Sequence, residues 1–224
     1  MVNITYTVIN MNVSKAVIRV SLYLALGDSI TAGYGVESFF SFPSVYANFL
    51  RRHNPDLSVQ NLGVNGLTTH GLLELLQFNG NLRHLVSQAS LITITIGSND
   101  LLHLIRNSNQ SIYTSQLPMI LGNMGRNLAQ VGEVVKRLNP AAIVKVATLY
   151  NPVPAGPYGQ YSVQVQGAID TANAMLITWA KRYEFVVVYL DREIRGNERF
   201  LIGPDYVHPN AEGYRVIAKA FARY

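Results

Sequence analysis

The stretch Leu22-Tyr23-Leu24-Ala25-Leu26-Gly27-Asp28-Ser29-Ile30-Thr31 decides how the rest of this chain is interpreted. Its five leading apolar residues predict a buried parallel strand. Gly27 permits a tight bend after that strand, because a side chain there would obstruct it. Ser29 then lies at the carboxyl end of the strand, where open α/β sheets bind their ligands. Ser29 is therefore a candidate nucleophile, although serine is also well suited to capping the helix that follows.

The composition favours one globular domain. The chain has 224 residues, enough for a single domain with a sizeable core. Hydrophobic residues make up 49% and charged residues 14%, which excludes a disordered chain. No apolar run approaches the roughly 18 residues of a membrane helix. We expect one domain over residues 1–224, with residues 1–18 as an extension or an edge hairpin, since Ile4, Tyr6 and Val8 alternate with threonines.

Charge and residue types exclude several classes of function. The formal net charge is +5, but lysine and arginine are scattered without a basic stripe, so nucleic acid is not an expected partner. The absence of cysteine excludes disulfides and thiolate catalysis. The histidines other than His208 show no pairing typical of metal ligands, and we expect neither metal nor cofactor. The amino terminus lacks a basic segment followed by an apolar core, which argues against an ordinary secretory signal and leaves the compartment open.

Strands and helices alternate along the chain. Apolar and β-branched segments predict five strands, at residues 22–26, 57–62, 90–96, 142–149 and 185–190. Apolar residues at helical spacing predict helices over residues 43–52, 67–78, 117–138 and 165–183, and a last helix after Asn210. This order implies right-handed βαβ crossovers, and so an α/β fold with a parallel sheet and helices on both faces.

The loops after these strands meet at one edge of such a sheet, and they hold Ser29, Gly66, Asn99, Asp205 and His208. A serine hydroxyl becomes a nucleophile when a base takes its proton, and histidine suits that task near neutral pH. A carboxylate three residues before the histidine can fix its tautomer. The backbone N–H groups of Ser29 and Gly66 and the amide of Asn99 are candidate donors to an oxyanion. Each residue alone is explained as well by a turn or a cap, but together they favour acyl transfer.

Four blocks in this order resemble the SGNH, or GDSL, hydrolase family: Gly27-Asp28-Ser29, Asn65-Gly66, Gly97-Ser98-Asn99-Asp100 and Asp205-Tyr206-Val207-His208-Pro209. The resemblance implies a three-layer, flavodoxin-like fold with a five-stranded parallel sheet. It also implies that Ser29 is the nucleophile, His208 the base and Asp205 the residue that orients it. By the same likeness, Ser29, Gly66 and Asn99 form the oxyanion hole, with Asp28 and Asp100 in support; Gly63 ranks below Gly66.

We expect a serine esterase or lipase that acts on a small-molecule ester. The apolar segment 101–126 favours short to medium acyl chains or lipids, as the wall of an acyl pocket or as a lid, although plain core packing explains it equally well. The proline-rich loop 151–157 is a candidate for the opposite wall. Alternatives on the same fold are a carbohydrate O-deacetylase, a lysophospholipase or thioesterase, an acyltransferase and a non-catalytic binding module.

Two other sites are disfavoured. Thr31 stands where the nucleophile elbow Gly-x-Ser-x-Gly requires glycine. Ser38 stands where a dinucleotide fingerprint that begins at Gly33 requires its third glycine.

Overall fold

A computed structural model describes residues 21–106, 110–157 and 159–224. The expected extension or hairpin at residues 1–18 lies outside the described residues. The strands are β1 (Leu22–Gly27), β2 (Ser58–Gly63), β3 (Leu91–Thr95), β4 (Ile143–Ala147) and β5 (Val186–Val188). The helices of the first half are α1 (Ser29–Ala32), α2 (Phe42–Arg51), α3 (Thr69–Phe78), α4 (Gly80–Gln88) and α5 (Ser98–Arg106). Those of the second half are α6 (Gln110–Leu138), α7 (Ser162–Arg182), α8 (Leu190–Ile194), α9 (Glu198–Leu201) and α10 (Ala211–Arg223).

The described residues form one parallel sheet in the order β2-β1-β3-β4-β5, which confirms the predicted fold. The order places β1 and β3 at the centre, where both faces of a strand are covered. Gly27 pairs with Gly63 of β2 and with Thr95 of β3, so the carboxyl ends of three strands lie level. The segments that leave these strands therefore start from one edge of the sheet.

The two faces of the sheet are separated by the alternation of side chains along each strand. Leu24 and Leu26 of β1 point into one core, with residues of α3, α4, α6 and α7. Tyr23 and Ala25 point into the other core, with residues of α2, α8, α9 and α10. The molecule thus has three layers, and we call the first helical layer the α6 layer and the second the α10 layer.

Two helical segments differ from the prediction. Helix α4 was not predicted. The Asn79 side chain accepts a hydrogen bond from Leu82 N–H and caps this helix. Helix α6 begins at Gln110, seven residues before the predicted start, and continues through Pro118. The predicted start rested on the apolar stripe that begins at Leu117, and the residues before it lack that pattern.

Candidate active site

Ser29 begins helix α1 directly after the turn that ends β1. Gly27 has a φ of +145°, and a Cβ at this position would stand 2.2 Å from the Thr95 carbonyl oxygen. Only glycine fits there, and the close approach lets Asp28 N–H donate to that carbonyl at 3.0 Å. The Asp28 carboxylate accepts from Ile30 N–H at 3.0 Å and so caps α1. The capping role considered for Ser29 belongs to Asp28, which leaves the Ser29 hydroxyl for other contacts.

A chain of hydrogen bonds joins Ser29, His208 and Asp205. His208 Nε2 lies 2.8 Å from Ser29 Oγ, and His208 Nδ1 lies 2.6 Å from Asp205 Oδ2. Asp205 Oδ1 also accepts from the backbone N–H groups of Val207 and His208, each at 3.0 Å. The structure therefore brings together the three residues that the sequence predicted as a catalytic set.

The loop that carries His208 is held from both sides. Gly203 N–H donates to the His208 carbonyl at 2.7 Å, and Ile202 forms an antiparallel bridge with Pro209. Tyr150 OH donates to the Val207 carbonyl at 2.9 Å. These contacts anchor the loop to β4 and α9, so the imidazole is fixed before any substrate arrives.

The pKa values of Asp28 and Asp205 are shifted in opposite directions. Burial raises the pKa of the Asp28 carboxyl to about 6, although hydrogen bonds from Thr95, Ile30 and Ser98 oppose that rise. Burial also acts to raise the pKa of Asp205, but the hydrogen bonds from the His208 side chain and from two backbone N–H groups outweigh it. The pKa of Asp205 therefore lies below its ordinary value, and its carboxylate is kept ionised beside the imidazole.

The proposed oxyanion donors come from three segments at the same edge. Ser29 is the first residue of α1, where a backbone N–H has no partner within the helix. Gly66 has a φ of +79°, and a Cβ built on it would meet nothing within 4 Å, so a ligand can approach this side of the turn closely. Asn99 Nδ2 donates to the Leu67 carbonyl at 2.9 Å, which ties Asn99 to the Gly66 turn and leaves its second amide hydrogen for a ligand.

The structure separates the two glycines of the second block. A Cβ on Gly63 would stand 2.1 Å from the Ala32 amide nitrogen, so Gly63 is a packing position against α1. Its N–H donates to Asn61 Oδ1 at 3.0 Å and is not available to a ligand. Gly66 is therefore the better candidate donor, in keeping with the predicted ranking.

Asp28 and Asp100 fix the neighbouring segments. Asp28 accepts from the Thr95 hydroxyl at 2.9 Å and from the Ser98 hydroxyl at 3.3 Å, which joins the β1 turn to the segment after β3. Asp100 accepts from Thr69 N–H at 3.0 Å and from the Thr69 hydroxyl at 2.6 Å. Both carboxylates thus hold the loops that carry Ser29 and Asn99, as the resemblance implied for supporting residues.

Two tyrosines at the site were not predicted. The Tyr34 ring lies over the His208 ring, with centroids 4.4 Å apart. Tyr214 was assigned only to the apolar face of the last helix, but its hydroxyl donates to the Tyr34 carbonyl at 3.0 Å and lies 3.5 Å from the Ser29 carbonyl oxygen. A buried tyrosine usually needs a partner for its hydroxyl, and that was the available signal.

The segments predicted as pocket walls are described in part. Leu101 is buried in the core, while the side chains of residues 103–115 lie outside the described residues. Ile120 is partly buried against the α6-layer core and Met119 is 60% exposed. In the proline-rich loop, Gly156 lies against the Tyr206 ring; a Cβ there would stand 2.9 Å from Tyr206 Cβ. Tyr206 has a φ of +58°, a conformation that aromatic residues rarely adopt.

Within the described ranges, no group of three or more histidine, aspartate or glutamate side chains is arranged to hold a metal ion. In the same part of the chain, every helix is too short or too polar to cross a bilayer.

The sequence of residues 25–216 matches the GDSL-like lipase/acylhydrolase family. A search of curated protein sequences gives no match. Among solved structures, a lipase from a goat rumen metagenome is 22% identical, with 91% of this chain and 96% of that chain covered and a TM-score of 0.76. An extracellular lipase from Streptomyces rimosus is 20% identical, with coverages of 91% and 99% and a TM-score of 0.72. A variant of an acetyl-xylooligosaccharide esterase from Geobacillus is 19% identical, with coverages of 91% and 93% and a TM-score of 0.67. At these identities the likeness shows a shared fold.

Proposed function

Because the chain belongs to the GDSL-like lipase/acylhydrolase family, a family of carboxylic ester hydrolases, we propose that it hydrolyses carboxylic esters through an acyl-enzyme on Ser29. The observation that carries the proposal is the hydrogen-bond chain from Ser29 Oγ through the His208 ring to Asp205 Oδ2, with links of 2.8 and 2.6 Å. A hydroxyl so connected can lose its proton as it attacks. A binding module would have no need of this arrangement.

The first half of the reaction acylates Ser29. Its Oγ attacks the ester carbonyl carbon while His208 Nε2 takes the hydroxyl proton. The carbonyl oxygen becomes an oxyanion and receives hydrogen bonds from the backbone N–H groups of Ser29 and Gly66 and from the Asn99 amide. The bond to the alcohol oxygen then breaks, and His208 returns the proton to that oxygen, so a neutral alcohol leaves and an acyl-enzyme remains.

The second half of the reaction hydrolyses the acyl-enzyme. A water molecule gives its proton to His208 Nε2 and attacks the acyl carbon, and the oxyanion forms at the same donors. The bond to Ser29 Oγ breaks, and the proton on His208 passes to that oxygen. The carboxylic acid leaves and the free hydroxyl is restored, so the cycle consumes one ester and one water.

Asp205 supports these proton transfers through His208. Its carboxylate holds the proton of the neutral ring on Nδ1, which keeps Nε2 as an acceptor facing Ser29. When His208 becomes an imidazolium, the same carboxylate stabilises the positive charge. The depressed pKa of Asp205 keeps it ionised for this purpose.

The proposed substrates are esters of short to medium acyl chains. A series of p-nitrophenyl esters from acetate to octanoate, run on the wild type and on Ser29→Ala, tests the proposal. We expect the wild type to release p-nitrophenol with a preference below octanoate, and Ser29→Ala to lose the activity. A stoichiometric fluorophosphonate adduct on Ser29 is expected as well. Equal rates for the two proteins, together with no adduct, contradict an acyl-enzyme on Ser29.

A further inference from the structure

A polar groove opens beside two of the proposed oxyanion donors. It encloses about 360 Å³, which falls in the range of small-ligand sites. Its walls are the first turn of α3, the start of α5 and the middle of α6. The polar residues that line it are Thr68, His70, Asp100, Asn123, Arg126 and Asn127.

The groove begins within two residues of the donors. Thr68 follows Leu67, whose carbonyl accepts the hydrogen bond from Asn99 Nδ2. Asp100 follows Asn99 in α5. An ester whose carbonyl oxygen is bound at Gly66 and Asn99 therefore lies within two residues of the groove along both of these segments.

The floor of the groove is a fixed hydrogen-bond network. The Asp100 carboxylate accepts from Thr69 N–H and from the Thr69 hydroxyl, and Asn127 Nδ2 donates to the same hydroxyl oxygen at 3.1 Å. Thr69 is fully buried, whereas Asp100 and Asn127 are partly exposed where they line the groove. Asn127 is held in place by one amide hydrogen and presents the rest of its amide to the groove.

Arg126 places a hydrogen-bond donor over the opening. Its Nη1 lies 3.7 Å from the position that a Cβ on Gly122 would take, so the side chain runs back along α6 towards the catalytic edge. Its other terminal nitrogen donates to Asn123 Oδ1. No carboxylate of residues 21–106, 110–157 or 159–224 forms an ion pair with Arg126 in this structure.

The groove is surrounded by charged groups of both signs. Arg126 and Asp100 carry opposite charges in the same lining, and the His70 ring lies 3.5 Å from Glu74. Six of the seven described lining side chains carry donors or acceptors, while Ile120 and the alkyl parts of the others supply apolar surface, so the lining suits a short chain that carries a neutral hydroxyl group.

The stereochemistry of the reaction decides which part of the ester enters. His208 belongs to the loop before α10, in the α10 layer, whereas the groove lies in the α6 layer on the other side of the sheet. The alcohol oxygen has to reach His208 Nε2 to receive its proton, and the oxyanion faces the three donors. The acyl chain is the remaining substituent of the tetrahedral carbon, and the groove in the α6 layer lies on the side of the sheet away from His208.

We infer that the groove binds the acyl part of the ester and selects a short acyl chain that carries a hydroxyl group. The inference rests on the proposed function and names its substrate class. The Arg126 guanidinium and the Asn123 and Asn127 amides supply the hydrogen bonds to that hydroxyl. A plain alkyl chain offers these groups no hydrogen bond, and so it binds less well.

The test compares ethyl 3-hydroxybutyrate, as each enantiomer, with ethyl butyrate in a pH-stat assay. We expect kcat/KM for the better enantiomer to exceed that for ethyl butyrate by about tenfold, the value of a hydrogen bond or two in a site built for them. Arg126→Gln is expected to bring this ratio down to about twofold. Arg215→Gln is the matched control, because Arg215 also pairs with the residue three positions before it, Glu212, but on α10; its ratio is expected to equal that of the wild type.

A second series keeps butyrate and replaces ethanol with glycerol as the alcohol. Arg126→Gln is expected to change the selectivity in the acyl series and to leave the alcohol series as in the wild type. Equal kcat/KM for the hydroxylated and plain acyl esters overturns the inference, and so does an effect of Arg126→Gln confined to the alcohol series. If Ser29→Ala retains hydrolysis, the proposed acyl-enzyme on Ser29 is wrong, and this outcome is distinct from a failure of the inference about the groove.

Discussion

Replacing Asp205 by asparagine is expected to abolish most of the activity by moving one proton. The backbone N–H groups of Val207 and His208 both donate to Asp205 Oδ1, so the amide oxygen of an asparagine has to take that position. Its NH₂ group then stands where Oδ2 lies, 2.6 Å from His208 Nδ1, and donates to that nitrogen. The ring proton moves to Nε2, which can no longer accept the proton of Ser29.

The expected loss follows from that change of tautomer. The same replacement in serine proteases lowers kcat about 10⁴-fold with the geometry intact, which corresponds to about 5.5 kcal/mol in the activation free energy. The free energy of unfolding is expected to change by less than about 1 kcal/mol, because both backbone hydrogen bonds survive and the carboxyl group is partly exposed.

The assay is kcat for p-nitrophenyl acetate, with the free energy of unfolding measured in urea on the same proteins. Asp170→Asn is the matched control, since Asp170 also accepts a side-chain hydrogen bond, from Gln166 at 2.7 Å, and its loss is expected to leave kcat unchanged. A folded Asp205→Asn protein whose kcat falls less than tenfold would refute the tautomer argument.

Three further changes test other parts of the site. Asn99→Ala is expected to lower kcat by about 10²–10³-fold with a smaller change in KM, because it removes a donor that acts on the developing oxyanion; steady-state kinetics with p-nitrophenyl acetate measures both. Gly63→Ala is expected to prevent stable folding, since its Cβ would collide with the Ala32 backbone. Gly66→Ala is expected to fold, with a free energy of unfolding about 1–3 kcal/mol lower because of the positive φ. Urea unfolding measures both variants, and equal stability would contradict the packing argument. Burial raises the pKa of Asp28 to about 6, above its ordinary value of about 3.9. The folded protein therefore binds more protons than the unfolded chain between about pH 4 and pH 6. The contribution of Asp28 to stability, complete below about pH 4, is lost as the pH rises past 6. The free energy of unfolding of Asp28→Asn relative to the wild type is therefore expected to rise by about 3 kcal/mol when the pH is raised from 3.5 to 8. If urea unfolding gives the same difference between the two proteins at both pH values, Asp28 does not have a raised pKa.

The order of the elements, and the residues that meet at the sheet edge, could be predicted from the sequence. The apolar run at residues 22–26 favoured a strand buried on both faces, and the alternation of strands and helices implied a parallel sheet. In such a sheet the segments after the strands share one edge whatever the details of packing. This topological rule is the reason that Ser29 and His208, 179 positions apart, were predicted to meet.

Contacts between distant segments could not be predicted from local patterns. The sequence ranked Gly63 below Gly66, but only the structure gives the physical reason, which is the packing of Gly63 against Ala32. The sequence assigned Tyr214 only to the apolar face of the last helix, whereas the structure shows its hydroxyl donating a hydrogen bond to the Tyr34 carbonyl. The groove beside Asn99 has walls from three elements, so no local pattern encodes it. Local patterns set backbone conformation and burial, whereas the partner of a side chain is set by the register and packing of elements far apart in the chain.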